Sequence, residues 1–268
     1  MLRVELKRAF YGRPFWIALL IAFGSLAFGV YDYASFLIAR PETISLAPSF
    51  FYNAYDAVVW SQNRLIGLIA PIIAVLPFAD TFALDRKSGY IRSILIRASY
   101  RHYLTAKWIT CLLSGGLVLM IPLLALFGVT SLIFPHGLNL IYGTQKIMTR
   151  ADALGPWGFL YETNPTLYIF ALSTMCFVFG ATYAGMGLAI ATMTVNRYVI
   201  LATPLVFYYL ANFMLALLGY SQWLLYVPIV PQAVMGVTAV HVATSLVSIF
   251  GVSLILFITL TARARVGI

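Results

Sequence analysis

Apolar runs of about twenty residues, separated by short polar clusters, recur along the whole chain. The hydrocarbon core of a bilayer is about 30 Å thick and a helix rises about 1.5 Å per residue, so runs of this length fit membrane-spanning helices. Six are predicted, at residues 15–38, 65–84, 108–134, 166–195, 198–218 and 240–262. The first carries Asp32 towards its end, the second continues past Asp80, Pro135 stops the third, and Arg263 and Arg265 close the sixth. A barrel would instead show alternating segments of about ten residues. The expected fold is an all-α integral membrane protein: one domain over residues 1–268, with six spans.

The segments between the spans differ in pattern. In residues 1–13, Leu2, Leu6, Ala9 and Phe10 share one helical face, with Arg3, Lys7 and Arg8 off it. Gly12 and Pro14 then interrupt the helix. This predicts an amphipathic helix lying in the membrane interface against anionic lipid headgroups. A secretory signal fits less well, because its apolar core is only about 7–15 residues. Residues 39–64 are polar and aromatic, and residues 135–165 are rich in glycine and proline turns. Residues 219–239 carry no formal charge, and Pro228, Pro231 and Gly236 cut them into pieces too short to span. Two placements fit that segment: re-entrant with protein over its backbone, or an aromatic belt at the outer surface.

Composition agrees with the pattern. The chain has 268 residues, 62% hydrophobic and 9% charged, whereas soluble domains average about 25% charged. The net charge of +9 raises nucleic acid as a partner, but the distribution favours topology. With the N-terminus inside, thirteen Lys and Arg fall on inner segments and four (Arg40, Arg64, Lys146, Arg150) on outer ones. This positive-inside bias places both termini in the cytoplasm of a plasma-membrane protein, with membrane lipids and no nucleic acid as partners. Cys111 and Cys176 lie in apolar runs and read as buried thiols.

Catalytic motifs are missing. Lys7, Lys87, Lys107 and Lys146 do not follow glycine, so there is no Walker A loop. His102, His136 and His241 make no zinc-hydrolase pattern, and Gly-x-Ser-x-Gly does not occur. The expectation is therefore no enzyme, no metal and no cofactor on this chain. Asp32, Asp80 and His241 are the ionisable groups nearest the spans, and each reads as lying near a span end. Pro71, Pro77, Pro122 and Pro204 mark kinks, and Gly180, Ala184 and Gly187 align on one face for close helix contact.

Residues 84–107, "LDRKSGYIRSILIRASYRHYLTAK", hold six of the 17 basic residues. With the N-terminus inside, they form the one long cytoplasmic loop. Gly89 breaks the charged start, and Ile91, Ile94, Leu95 and Ala98 then share a helical face, with Arg92, Arg97, Ser99 and Tyr100 away from it. Such a helix rests on lipid or docks on a soluble partner.

The segment "FADTFALDRKSGYIRSILIRASYRHYLTAK" resembles the region between the second and third spans of ABC-2 type transporter permeases. The matching features are Asp85 four residues before Gly89, the Ile94–Leu95 helix, the element from Ser99 to Arg101, and Lys107 ahead of the third span. The family acid is more often glutamate, and proline is common where Ala98 stands. The N-terminal helix, six spans and broken apolar segment before the sixth span are similar to the family too, so the likeness covers essentially the whole chain. It implies a coupling helix seated on a separate ABC ATPase subunit, with ATP and magnesium held there, and a second permease chain, the same or homologous. It implies ATPase contacts at Asp85, Gly89, Tyr90, Arg92, Ser93, Arg97, Tyr100 and Arg101, the arginines as bidentate partners for carboxylates. The cargo expected is hydrophobic or amphipathic: a peptide, a drug or a lipid-like compound. The alternative is a membrane scaffold whose basic loop binds lipid alone.

Overall fold

The computed structural model describes residues 1–38, 53–96, 99–136 and 154–264. Eleven α-helices and no strand occur among them. They are α1 (Leu2–Phe10), α2 (Arg13–Ile38), α3 (Ala54–Ser61), α4 (Gly67–Val75), α5 (Thr81–Lys87), α6 (Tyr90–Leu95), α7 (Tyr100–Ile133), α8 (Gly158–Thr163), α9 (Pro165–Ala191), α10 (Arg197–Leu217) and α11 (Ala239–Ala264). Six helical segments are long and apolar enough to cross a membrane: α2, α3 with α4, α7, α9, α10 and α11. The chain is a multi-pass membrane protein.

Five spans lie where the apolar runs put them. The second does not. It runs over Ala54–Val75, so residues 54–64 belong to it and residues 76–84 do not. The polar side chains that hid it are matched inside the fold. Asn53 caps α3 by accepting from the Asp56 amide at 2.7 Å, and its own amide donates to Asp56 at 2.8 Å. Tyr161, on α8, donates to the same carboxylate at 2.9 Å. Arg64 sits in a π-helical turn, Gln62–Ile66, and pairs with Asp32 of α2 at 2.6 Å, while Trp60 donates to Asp32 at 3.0 Å.

The fourth span, α9, is the most enclosed, and it packs on α7, α11, α4 and α10. Its small-residue face explains the close approach to α7. A Cβ on Gly180 would meet the Gly115 carbonyl, one on Gly115 the Ala184 methyl, and one on Gly116 the Phe177 ring. Backbones thereby touch along a seam where lipid offers no hydrophobic drive and packing must supply the attraction. Cys111 donates to the Ala184 carbonyl at 3.3 Å across the same seam, and both cysteines are free and buried.

Pro71 lies inside α4 and has no N–H for the Gly67 carbonyl one turn earlier. The fifth span supplies the donor. Tyr208 bonds the Gly67 carbonyl at 2.6 Å, and its neighbour Tyr209 bonds that of Leu68 at 3.0 Å.

Residues 219–239 contain two short 3₁₀ turns, Ser221–Trp223 and Pro231–Ala233, between α10 and α11. Leu224, Leu225, Val227, Ile229, Val230 and Val237 are buried in the main core. Gln232 donates to the Val59 carbonyl at 3.0 Å, and Asn212 accepts from the Leu225 amide at 2.7 Å. The stretch 224–231 is thus covered by the protein's own helices, which is the condition its irregular backbone needs in an apolar environment.

Candidate functional site

The charged loop follows the second span after a short turn and the start of α5. After α4, five turn residues lead to α5, and Gly89 reverses the chain into α6 with φ of +71°. That left-handed conformation explains a glycine here: no neighbour crowds the position, but a Cβ would be strained by the backbone alone. Ile91 and Ile94 point into a core shared with Phe82 and Tyr103, as the stripe requires. Ser99 then caps α7, accepting from the His102 amide at 3.4 Å and sitting 2.6 Å from His102 Nδ1.

Helix α7 starts at Tyr100, eight residues before the predicted third span, so Lys107 lies two turns inside it rather than ahead of it. It is fully buried, beside Glu5 (0% exposed) and Asp85 (2%). The Lys107 ammonium lies 2.9 Å from Glu5 and 2.8 Å from Asp85. It also lies over the Phe78 ring, 4.7 Å from the centroid. Arg8 bonds both oxygens of Asp85, at 2.8 and 3.2 Å, and reaches Glu5 at 3.2 Å. The Tyr103 hydroxyl donates to Asp85 at 2.8 Å. Two acids and two bases from α1, α5 and α7 therefore form one neutral, hydrogen-bonded cluster. Its neutrality is what makes burial tolerable, because an unpaired buried charge costs several kcal/mol.

The same arrangement ties α1 to the bundle. Glu5 and Ala9 are the helix's buried residues, Leu6 and Phe10 of the apolar face are half-buried, and Leu2 is exposed. Helix α1 is packed on α7, with an acid at the contact.

Two aspartates five residues apart behave oppositely. Burial pushes the Asp85 carboxyl up, but the Arg8 hydrogen bonds, the Lys107 ammonium and the Tyr103 hydroxyl outweigh it and hold the group below the ordinary carboxylate value. Burial also pushes Asp80 up, and there it prevails over the pull of Arg197, 2.9 Å away. Hydrogen bonds to Asp85, against the cost of burial, raise the Arg8 guanidinium above its usual value.

The loop is tied to the spans at further points. Arg86 donates to the Thr192 carbonyl at 2.8 Å, just past the end of α9. Asp80, which precedes α5, pairs with Arg197 at the start of α10. Helix α5 and the turn before it are thus linked through side chains to α1, α7, α9 and α10.

Of the residues expected to contact a partner, Gly89, Tyr90, Ser93 and Arg101 are exposed and Tyr100 is half-buried. Ser93 donates to the Tyr90 carbonyl at 2.8 Å, and Arg8 lies over the Tyr90 ring at 5.2 Å. Asp85 points inward, with its oxygens engaged within the chain. The Arg92 and Leu95 side chains, and Arg97 and Ala98, lie outside the described residues, as do Arg40, Lys146, Arg150 and Arg265. Sequence reasoning missed Glu5 and the inward turn of Lys107. The available signals were an acid in a basic amphipathic helix and a lysine abutting an apolar run. Among the described residues no His, Cys, Asp and Glu group could hold a metal ion.

No protein-family model, curated protein or solved structure matches this chain.

Proposed function

We propose that this chain is the transmembrane subunit of an ATP-driven exporter of the ABC-2 permease type, powered by a separate ATPase. The observation that carries the proposal is the tethering of α5, which leads through Gly89 into the short helix α6. Helix α6 presents Tyr90 and Ser93 outwards, while the α5–α6 segment is joined, through α5 and the turn before it, by charge or hydrogen bonds to α1, α7, α9 and α10. A push on α6 would pass through its packing on α5 to four helices, as a coupling element requires. Here Asp85 serves as a positioning group that holds the segment to α1 and α7, and Gly89, Tyr90, Arg92, Ser93, Arg97, Tyr100 and Arg101 form the docking surface. ATP and magnesium bind the partner, both termini face the cytoplasm, and two permease chains pair in the plasma membrane. The cargo is hydrophobic or amphipathic.

The test is copurification followed by turnover. An ATPase subunit bearing a Walker A motif is expected to purify with the chain from membranes of its native host. The double reversal Arg92→Glu and Arg97→Glu is expected to lower permease-stimulated ATP hydrolysis at least tenfold while thermal unfolding stays unchanged. Unaltered stimulation, or a chain that recovers no ATPase and binds only anionic vesicles, would assign the loop to lipid binding and the protein to a membrane scaffold.

A further inference from the structure

The opposite end of the bundle holds a cavity unrelated to the loop. It has a volume of about 440 Å³ and is lined by Leu215, Tyr220, Trp223, Leu225, Thr244, Ser245 and Ser248. That volume falls within the ~300–1,000 Å³ typical of small-molecule sites. Its walls are the end of α10, the start of α11 and the 3₁₀ turn between them. The turn touches both helices, whereas α10 packs on α9 and α4, and α11 packs mainly on α9. The cleft lies between α10 and α11, where one span ends and the next begins. On the six-span reading this is the level where acyl chains meet headgroups in a bilayer.

The lining specifies what fits. It includes no formal charge, and residues 219–239 contribute none nearby. A phosphate or ammonium headgroup finds no counter-ion. Leu215, Leu225 and the Tyr220 and Trp223 rings offer an apolar slot, with Trp223 fixed edge-on against His241 at 4.6 Å. Along α11, hydroxyls stand at positions 244, 245 and 248. Ser245 donates to the His241 carbonyl at 2.9 Å and Ser248 to the Ser245 carbonyl at 2.9 Å. Their hydrogens are spent on the helix, and their oxygens remain acceptors. Ser245 is itself buried, at 4% exposure. A ligand suited to this site has a hydrocarbon chain and an uncharged hydroxyl end, which can donate to the Ser245 and Ser248 oxygens and accept from Tyr220, Trp223 or Thr244.

We infer that the cleft between α10 and α11 binds a neutral lipid with a free hydroxyl, of the diacylglycerol class, its hydroxyl on the Ser245–Ser248 stripe and its chain against Leu215 and Trp223. The site rests on membrane embedding alone and stands whether or not an ATPase partner exists.

The experiment uses the full-length protein in phosphatidylcholine nanodiscs. A diacylglycerol with a diazirine in one acyl chain is photolysed, and the adducts are mapped by mass spectrometry. Adducts are expected to concentrate in peptides spanning residues 215–225 and 244–248. The O-methyl ether of the same probe, which lacks the donor, is expected to label these peptides at least threefold less. Ser248→Trp, which fills the cleft from an exposed position, should remove the labelling, while Val206→Trp, also on an exposed position of α10, should leave it intact. Labelling spread over all outward helix faces, equal labelling by the ether, or labelling unchanged by Ser248→Trp with the fold intact by thermal unfolding would each overturn the inference.

Discussion

At the N-terminal end, α1, α5 and α7 meet around four formal charges; midway along the bundle, α7 meets α9 over Gly115, Gly116, Gly180 and Ala184. One helix takes part in both contacts, about two turns apart, and the two are held by opposite means. The charged contact is costly to take from water and strongly directional, so it fixes which side chains face each other. The glycine contact has no direction beyond shape, and its strength comes from many small dispersion contacts at close range. The difference predicts different failures. Damage to the first should depend on which partner is removed and on pH; damage to the second should depend on volume alone.

The largest effect is expected from Lys107→Met, which leaves Glu5 and Asp85 facing a single arginine. Removing one member of a buried pair costs about 3–5 kcal/mol. Thermal unfolding in detergent should show the loss, and the double variant Glu5→Met with Lys107→Met should recover most of it by restoring neutrality. If the double variant is as unstable as the single, the contact depends on shape after all. Next is Gly180→Ala. Its new methyl meets the Gly115 backbone and should cost about 1–3 kcal/mol by overpacking. Gly24→Ala, on α2 with open space around it, should instead gain up to about 1 kcal/mol from helix propensity. Equal effects at the two glycines would show that the seam is not tight.

The pH dependence is smaller and has a definite sign. Asp85 has its folded value held below the unfolded one, so its contribution is complete above the ordinary carboxylate value of about 3.9 and declines as pH falls through the folded value. Asp80, raised by burial, acts the other way: the folded state holds its proton more tightly, and stability falls as pH rises from the unfolded to the folded value. Scanned in an Asp80→Asn background, the melting temperature should drop below about pH 4, and adding Asp85→Asn should flatten that drop. The smallest effect is expected at Arg64→Gln. Its pair with Asp32 is 44% and 33% exposed, and pairs of that kind contribute about 0–1 kcal/mol. A loss comparable to Lys107→Met would place Arg64 in a much drier setting than its exposure shows.

Much of the fold was readable because spans announce themselves by length and apolarity, which hold along a continuous stretch. The Gly180 face was readable for a similar reason, since helical spacing aligns residues in one segment. The second span was misplaced by eleven residues at its start because Asp56 and Arg64 look like loop residues until Tyr161 and Asp32 arrive from elsewhere. The charge cluster was hidden in the same way. Glu5 and Lys107 are 102 positions apart in the chain, and nothing local distinguishes a lysine that ends a loop from one turned inward. Pairing between distant segments is the information a pattern of single positions does not carry.

The Tyr208 bond also bears on how the protein is made. The Gly67 carbonyl, left without a helical donor by Pro71, receives one from a residue 141 positions later. At about 5–20 residues per second, synthesis brings that tyrosine only about 7–28 s after the carbonyl. For that interval the second span sits in the insertion machinery or the bilayer with a carbonyl seeking a donor. The fifth span completes the second, and a nascent chain truncated before residue 208 should leave the translocation site more slowly than one that extends past it.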